Sequence, residues 1–263
     1  MKEKISVLMG IYNCEATLRQ ALDCIVAQTY PNWELILCDD GSSDGTVSIA
    51  EEYLHRYPAK VKLLRNEKNM GLNITLNRCL AAAEGEFVAR MDGDDHCSPD
   101  RFEKQLSFLK SHPKFGWVSS AMSYFDENGT WKTGTALEFP QPRDFIPGTP
   151  FCHAPSMLRT DVLRSVNGYD ESPRVVRVED YDLWFRLYAK GHRGANLNEP
   201  LYQMRDDEKA YKRRKFRYAF NEAYVRFRGY RMLGLTGKCY LYVLRPILVG
   251  LLPKPVYMFL HHK

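Results

Sequence analysis

Four short apolar, β-prone runs separated by stretches of helical periodicity fill the first 110 residues, and this alternation constrains the chain more than any other feature. Ile5–Met9, Trp33–Cys38, Val61–Arg65 and Glu86–Met91 have the length of strands. Between them, Leu18, Ala21, Leu22, Ile25 and Val26 fall on one helical face. Val47, Ala50, Tyr53 and Leu54 repeat that spacing, as do Leu72, Leu76, Cys79, Leu80 and Ala83. Strands joined by helices imply βαβ crossovers and a mainly parallel sheet with helices on both faces. Ligands of such sheets bind beyond the C-terminal ends of the strands. Two acidic loops, Asp39 to Asp44 and Asp92 to Asp95, each follow a strand run directly and so share that edge.

The pattern then changes. Ser98-Pro-Asp-Arg predicts a helix with Ser98 as N-cap and Phe102, Leu106 and Leu109 on its inner face. Residues 116–125 and 130–139, joined by Asp126-Glu-Asn-Gly129, read as a small antiparallel hairpin. A proline-rich stretch leads to a short helix closed by Asn167-Gly168. Residues 179–190 form another helix, burying Tyr181, Trp184, Leu187 and Tyr188. From Glu208 a long basic helix carries Phe216, Phe220, Tyr224 and Phe227 as an aromatic stripe, followed by an apolar run, Tyr240 to Leu252, broken by Arg245 and Pro246.

Charge divides the chain more sharply than the net +5 suggests. Residues 201–263 hold 14 Lys and Arg against 4 Asp and Glu, whereas the rest holds 23 against 28. A basic, aromatic tail on an acidic body points to an anionic surface, membrane lipid or nucleic acid. Seven scattered cysteines, never spaced C-x-x-C, suggest neither a disulfide framework nor a zinc ribbon, which makes the cytosol the expected compartment. No 18-residue apolar run marks a membrane span.

Asp92-Gly-Asp94-Asp95 crowds carboxylates at a strand end, where a hard cation relieves their repulsion; short acidic loops of this kind suit Mg²⁺ or Mn²⁺ completed by phosphate oxygens. A solvated acidic turn is the plainer alternative. The Asp40 loop nearly matches a calcium-binding EF-hand, but a strand rather than a helix precedes it. Glu179-Asp180 opens a helix, where negative charge is favoured in any case. His153 and His192 are lone imidazoles without partners at metal spacing, which suits packing or loop roles. Motifs for P-loop, dinucleotide, α/β-hydrolase and zinc-protease chemistry are absent from the sequence.

Taken in order, Ser6-Val-Leu-Met-Gly-Ile-Tyr-Asn13, Gln28 to Thr46, Asn69-Met-Gly-Leu72, Arg90-Met-Asp-Gly-Asp-Asp95, Pro99-Asp-Arg101 and Val178-Glu-Asp180 resemble the family 2 glycosyltransferases of the GT-A fold. The resemblance implies a catalytic domain over residues 1–205, with a nucleotide-binding half (1–110) and an acceptor-binding half (111–205), and a helical basic extension over 206–263. It implies inverting transfer of a sugar from a nucleotide diphosphate sugar, with UDP favoured by family frequency, to an acceptor hydroxyl. Ile11, Tyr12, Asn13, Asp39, Asp40, Asn69 and Asp92 would bind the nucleotide, Asp94 with Asp92 the Mn²⁺ or Mg²⁺, and Asp180 would be the general base. Glu179, His153 and Trp184 would line the acceptor side. Gly10 and Ile11 stand where the family more often has Pro and Thr, a departure that bears on the base contacts. No Q-x-x-R-W motif follows the third acidic block and no transmembrane helices are expected to flank the domain, which favours a non-processive enzyme. The bacterial capsule, exopolysaccharide and O-antigen type implies a polyprenyl-diphosphate-linked glycan acceptor. Residues 208–263 would then rest on the anionic cytoplasmic face of the membrane, with no nucleic-acid partner. A sugar nucleotidyltransferase, a nucleic-acid-binding protein acting through the tail and a glycosidase are the competing classes.

Overall fold

The computed structural model describes residues 3–206 and 215–252. Its first half follows the predicted alternation: β1 (Ile5–Ile11), α1 (Glu15–Val26), β2 (Trp33–Asp39), α2 (Thr46–Arg56), β3 (Val61–Arg65), α3 (Leu72–Ala82) and β4 (Phe87–Arg90). Then come β5 (His96–Cys97), α4 (Arg101–Ser111), β6 (Trp117–Asp126), β7 (Gly129–Thr133), β8 (Met157–Arg159), α5 (Thr160–Ser165), α6 (Glu179–Ala189) and β9 (Gly194–Arg205). Helix α7 (Arg217–Met232), a 3₁₀ turn and the short α8 (Arg245–Gly250) end the described chain.

Among the described residues one nine-stranded sheet runs β3-β2-β1-β4-β8-β6-β9-β5, with β7 paired to β6. β3, β2, β1 and β4 are parallel neighbours; β8 turns the direction, and β6 and β9 pair in parallel again. Alternate side chains feed two cores. Val7, Met9, Leu35 and Leu37 face α1, α2 and α4, while Leu8, Ile36, Cys38 and Val88 join Trp117, Trp184 and Phe185 on the other side. Both faces of the sheet are therefore covered, as near-continuous apolar runs require.

Two local expectations change, and strand β9 was not anticipated. α4 begins at Arg101, and Ser98 does not cap it. The Ser98 and Pro99 carbonyls accept from Gln28 Nε2 and Thr29 N at 2.8 Å each, which commits that backbone to the end of α1. The hairpin turns at Gly129 (φ 112°), but its second strand stops at Thr133. Beyond it the chain is drawn to β9, where Asn196 Nδ2 donates to the Leu137 carbonyl at 2.6 Å. Strand β9 itself has no clear period-2 pattern, because Asn198, Glu199 and Pro200 interrupt it.

Residues 207–214, where the basic helix was expected to begin, lie outside the described residues. α7 packs on the second core through Val225, Gly229 and Tyr230, not through the aromatic stripe. A Cβ on Gly229 would stand 2.2 Å from the Phe185 ring, so glycine lets α7 approach α6. Phe216, Phe220 and Phe227 are instead exposed, and only Tyr224 of the stripe is partly buried against the core. Among the described residues no helix is long and apolar enough to cross a membrane.

Candidate active site

Register fixes the floor of the site. Ile11 pairs with Asp39 and Asp39 with Arg65, so the ends of β1, β2 and β3 finish level, with the acidic loop after β4 beside them. Ile11 is fully buried, and its carbonyl accepts from Asp40 N at 2.9 Å; its side chain belongs to the core. Tyr12 is 48% exposed, a ring open to stacking. Asn13 takes a left-handed conformation (φ 46°) and locks the two loops together, its N–H donating to Ser42 Oγ at 3.0 Å and its Oδ1 accepting from Ser43 N at 2.9 Å.

The two adjacent aspartates do different work. Asp39 Oδ2 accepts from Gly41 N (3.1 Å) and Ser42 N (3.2 Å), which leaves acceptor capacity for a further donor. Asp40 Oδ1 accepts from Asn66 Nδ2 and Met70 N, both at 2.7 Å, and Oδ2 from Gly71 N at 2.9 Å. Asp40 therefore braces the loop that presents exposed Asn69. That loop passes so close to Gly41 (φ 76°) that a Cβ there would lie 2.8 Å from the Lys68 carbonyl carbon.

Around Asp92–Asp95 the structure adds a set of residues that the sequence reading left unassigned. Arg90, nearly fully buried, donates to the Met91 carbonyl and to Asp92 Oδ1, each at 2.6 Å. Arg101, fully buried, holds the Arg90 carbonyl at 2.7 Å and lies over the Tyr202 ring at 5.2 Å. Tyr202 receives Asp92 N at 3.1 Å and donates to Asp95 Oδ2 at 2.9 Å, while Arg205 N donates to Asp95 Oδ1 at 2.8 Å. Burial, then the charges of Asp92 and Asp94, push the Asp95 carboxyl well above its ordinary range. Asp95 thus anchors the loop, and Asp92 and Asp94 remain as the hard-oxygen pair. Their chemistry fits a divalent cation completed by phosphate oxygens and water; among the described residues no cluster of three or more His, Cys, Asp or Glu is pre-assembled.

Helix α6 brings the third acidic element to this edge. Asp180 is half-buried, and burial followed by the neighbouring Glu179 charge raises it to about 7. The helix N-terminus, expected to keep Asp180 ionised, is outweighed: the Tyr181 and Asp180 backbone N–H groups lower the value less than burial raises it. Glu179 is also raised by burial, against the opposing pull of Arg90 and Arg177. His153 Nε2 lies 2.8 Å from Tyr169 Oη, and burial with the Arg90 charge pushes the imidazole well below its ordinary value. Buried Tyr169 feels Arg90, Glu179, Asp180 and Asp92 together, so the loop after β4 and the start of α6 face one space. Trp184, expected at the acceptor side, is fully buried: it stacks on Trp117 at 5.1 Å and meets His153 only edge-on from behind.

Arg90 and Arg101 stood inside the sequence blocks already singled out, and a cation two residues before a paired-acid loop was a readable signal. Tyr169 and Tyr202 carried none, because each reaches the site only through strand pairing or a loop far along the chain.

The sequence model of Glycosyl transferase family 2 matches residues 6–166, and that of Glycosyl transferase family group 2 matches residues 87–262. EpsE of Bacillus subtilis, named as a glycosyltransferase, is 43% identical over 99% of this chain and 94% of its own. An Escherichia coli UDP-Gal:alpha-D-GlcNAc-diphosphoundecaprenol beta-1,3-galactosyltransferase is 29% identical over 99% of this chain and 96% of its own. Among solved structures, S. aureus TarS 1-349 in complex with UDP-GlcNAc superposes with a TM-score of 0.72 at 20% identity, covering 94% of this chain and 72% of that one. The Pyrobaculum calidifontis mannosyltransferase PcManGT, in complex with GDP-Man and Mn2+, gives 0.67 at 20% identity over 100% and 71%. The α/β sheet described above shares the GT-A architecture of these neighbours.

Proposed function

The chain belongs to glycosyl transferase family 2, and from that membership we propose an inverting, non-processive, metal-dependent enzyme of bacterial surface-polysaccharide synthesis. It moves one sugar from a nucleotide diphosphate sugar, UDP-linked, to a hydroxyl of a polyprenyl-diphosphate-linked glycan. The E. coli relative supports the donor and acceptor classes by its name, and the UDP-GlcNAc complex of TarS supports the donor. In this reading Tyr12 stacks on the base, Asp39 accepts from it, and Asn13 and Asn69 shape the pocket rim. Asp94 with Asp92 would hold Mn²⁺ or Mg²⁺, a choice supported by the Mn2+ complex of PcManGT; such an ion supplies Lewis-acid relief of the charge on the leaving diphosphate.

One observation carries the chemistry: Asp180, raised to about 7, shares an electrostatic site with Asp92 and Arg90 through Tyr169. A base with that affinity is ionised in a useful fraction at neutral pH and still takes a proton from a hydroxyl as it attacks. Attack opposite the leaving group is a single displacement, hence inversion. Exposed Phe216, Phe220, Leu241, Leu244, Leu248 and Leu251, among Lys215, Arg217 and Arg245, support peripheral attachment at an anionic membrane surface. The test is thermal unfolding with UDP, GDP, dTDP and CDP, each with and without Mn²⁺, followed by transfer from the sugars of the responding nucleotide to a synthetic GlcNAc-diphosphate lipid. An α-linked product from an α-linked donor would refute inversion, and transfer undiminished by EDTA would refute metal dependence.

A further inference from the structure

The seam between α7 and the segment that enters α6 gathers cations at the edge of the acceptor side. Asn221 of α7 donates from Nδ2 to the Val176 carbonyl at 3.0 Å and to the Pro173 carbonyl at 3.3 Å, fixing residues 173–176 against the helix. Arg217 and Tyr218 lie one turn before Asn221 on the same helical face. The pinned segment therefore brings Arg177 alongside them, two residues before Glu179. Arg177 is exposed and held left-handed (φ 71°), a conformation unfavourable for arginine that persists only because the surrounding contacts impose it. Arg217 donates to Tyr218 Oη at 3.0 Å and covers its ring at 4.9 Å. Fields from Arg177 and Lys215 reach the same phenol, and that of Arg177 also reaches Glu179. Just outside the cluster stand Phe216 and Phe220, 45% and 54% exposed, with their rings edge to face at 5.4 Å.

Resting on the acceptor class proposed above, we infer that Arg177, Lys215 and Arg217 with Tyr218 form the binding site for the acceptor's diphosphate, and that Phe216 and Phe220 receive the first isoprene units of its lipid. The order of groups along the protein matches the order along such a molecule. The attacking hydroxyl belongs at Asp180, the diphosphate meets the cations that begin just before α6 at Arg177, and the hydrocarbon then meets the phenylalanines and the membrane. A planar guanidinium is suited to paired phosphate oxygens, which explains arginine at two of the three positions. The left-handed Arg177 turns this side chain out of the extended segment before α6 begins.

The probe is farnesyl diphosphate, titrated into the full chain with UDP and Mn²⁺ saturating so that the donor's own diphosphate site is filled. Farnesol tests the lipid alone, and inorganic pyrophosphate tests the free anion. The wild type is expected to bind farnesyl diphosphate at least tenfold more tightly than either control. Arg177→Gly, which retains the left-handed backbone, combined with Lys215→Ala and Arg217→Ala, is expected to weaken binding at least tenfold while leaving the UDP affinity and the unfolding midpoint unchanged. Equal affinity in the wild type and the triple variant, or loss of UDP binding in its place, overturns the assignment. Pyrophosphate binding as tightly as farnesyl diphosphate would reduce the site to one for a free anion and overturn the lipid part. If farnesyl diphosphate binds through these residues but no sugar reaches a diphosphate lipid, the acceptor reading fails and the binding site stands.

Discussion

Replacing Asp180 by Asn separates catalysis from stability with opposite signs. The carboxyl rises from an ordinary 3.8 to about 7 on folding. At about 1.4 kcal/mol per pH unit, ionising it in the native state costs about 4 kcal/mol once the pH exceeds 7. Because the folded value lies above the unfolded one, stability is complete below pH 3.8 and is lost progressively as the pH rises to 7, with no further change above. Asparagine removes the titrating group, so the variant's advantage should grow through pH 4 to 7 and level off at up to about 4 kcal/mol. At roughly 2–4 °C per kcal/mol for a domain of this size, that is up to about 8–16 °C in Tm at pH 8.5, and almost nothing at pH 3.5. Over the same range turnover should fall by about 10² to 10⁴. The groups acting on Asp180 are Glu179, Glu222 of α7 and the backbone N–H groups of α6. Glu179→Gln should therefore shift the acid limb of kcat/KM below 7 with most activity kept. Paired pH–rate profiles and pH-dependent melting of wild type, Asp180→Asn and Glu179→Gln decide the matter. An Asp180→Asn protein that is less stable than wild type at pH 8.5, or that turns over normally, would refute the reasoning.

Further outcomes follow from the same geometry. Asp94→Ala should abolish the Mn²⁺-dependent part of nucleotide stabilisation, whose total is about 2.7 kcal/mol at 100 times the dissociation constant; an undiminished shift would remove Asp94 from the metal site. Asp40→Ala removes the acceptor of buried Asn66 Nδ2 and of two loop N–H groups that water can reach, so unfolding in urea should cost about 1–3 kcal/mol less than in wild type, the penalty of about one stranded buried group. Phe216→Ser with Phe220→Ser should reduce flotation with vesicles rich in anionic lipid while activity on a short water-soluble acceptor is kept; equal flotation would rule out this face as the lipid contact.

The first half of the fold was legible because each strand and helix there carries its own period, and the acidic loops inherit their position from strand ends that parallel register brings level. Asp39, Asp92 and Asp94 could be placed at that edge in this way, whereas Asp180, at the start of a helix, was singled out only by the resemblance of Val178-Glu-Asp180. What could not be read is the neutralising frame around them. Tyr202 reaches Asp95 across 107 positions of sequence, and Asn198, Glu199 and Pro200 hide the strand that carries it there. Trp184 shows the converse limit. Its helical spacing marked it as buried while the resemblance placed it at the acceptor side, and the tertiary stack on Trp117 decides for burial. Adjacent Asp39 and Asp40 look equivalent in sequence, yet only the hydrogen-bond partners distinguish a carboxylate with room for a ligand from one already filled.

Charge in the extension has the same ambiguity, and resolving it changes what the extension is. Arg226 is fully buried, held by Glu222 at 2.8 Å, the Ile146 carbonyl at 2.8 Å and Tyr230 Oη at 3.2 Å. Arg228 bridges Asp170 at 3.0 Å and Asp182 of α6 at 3.2 Å, and Asp182 is itself held by Arg186. Arg226 belongs to the interior and Arg228, partly exposed, to the seam with α6, where its buried partner Asp182 would be left short of a cation by its removal. Lys215, Arg217, Arg231 and Arg245 remain exposed. The surface charge of α7 is thus smaller than its composition implies, and its cations are sorted by face: one set fixes the helix that carries Asp180, the other borders the exposed phenylalanines. On the function proposed above, a helix built in this way would set the distance between the exposed phenylalanines and Asp180, a distance that an enzyme acting on the head of a lipid-linked glycan has to hold constant.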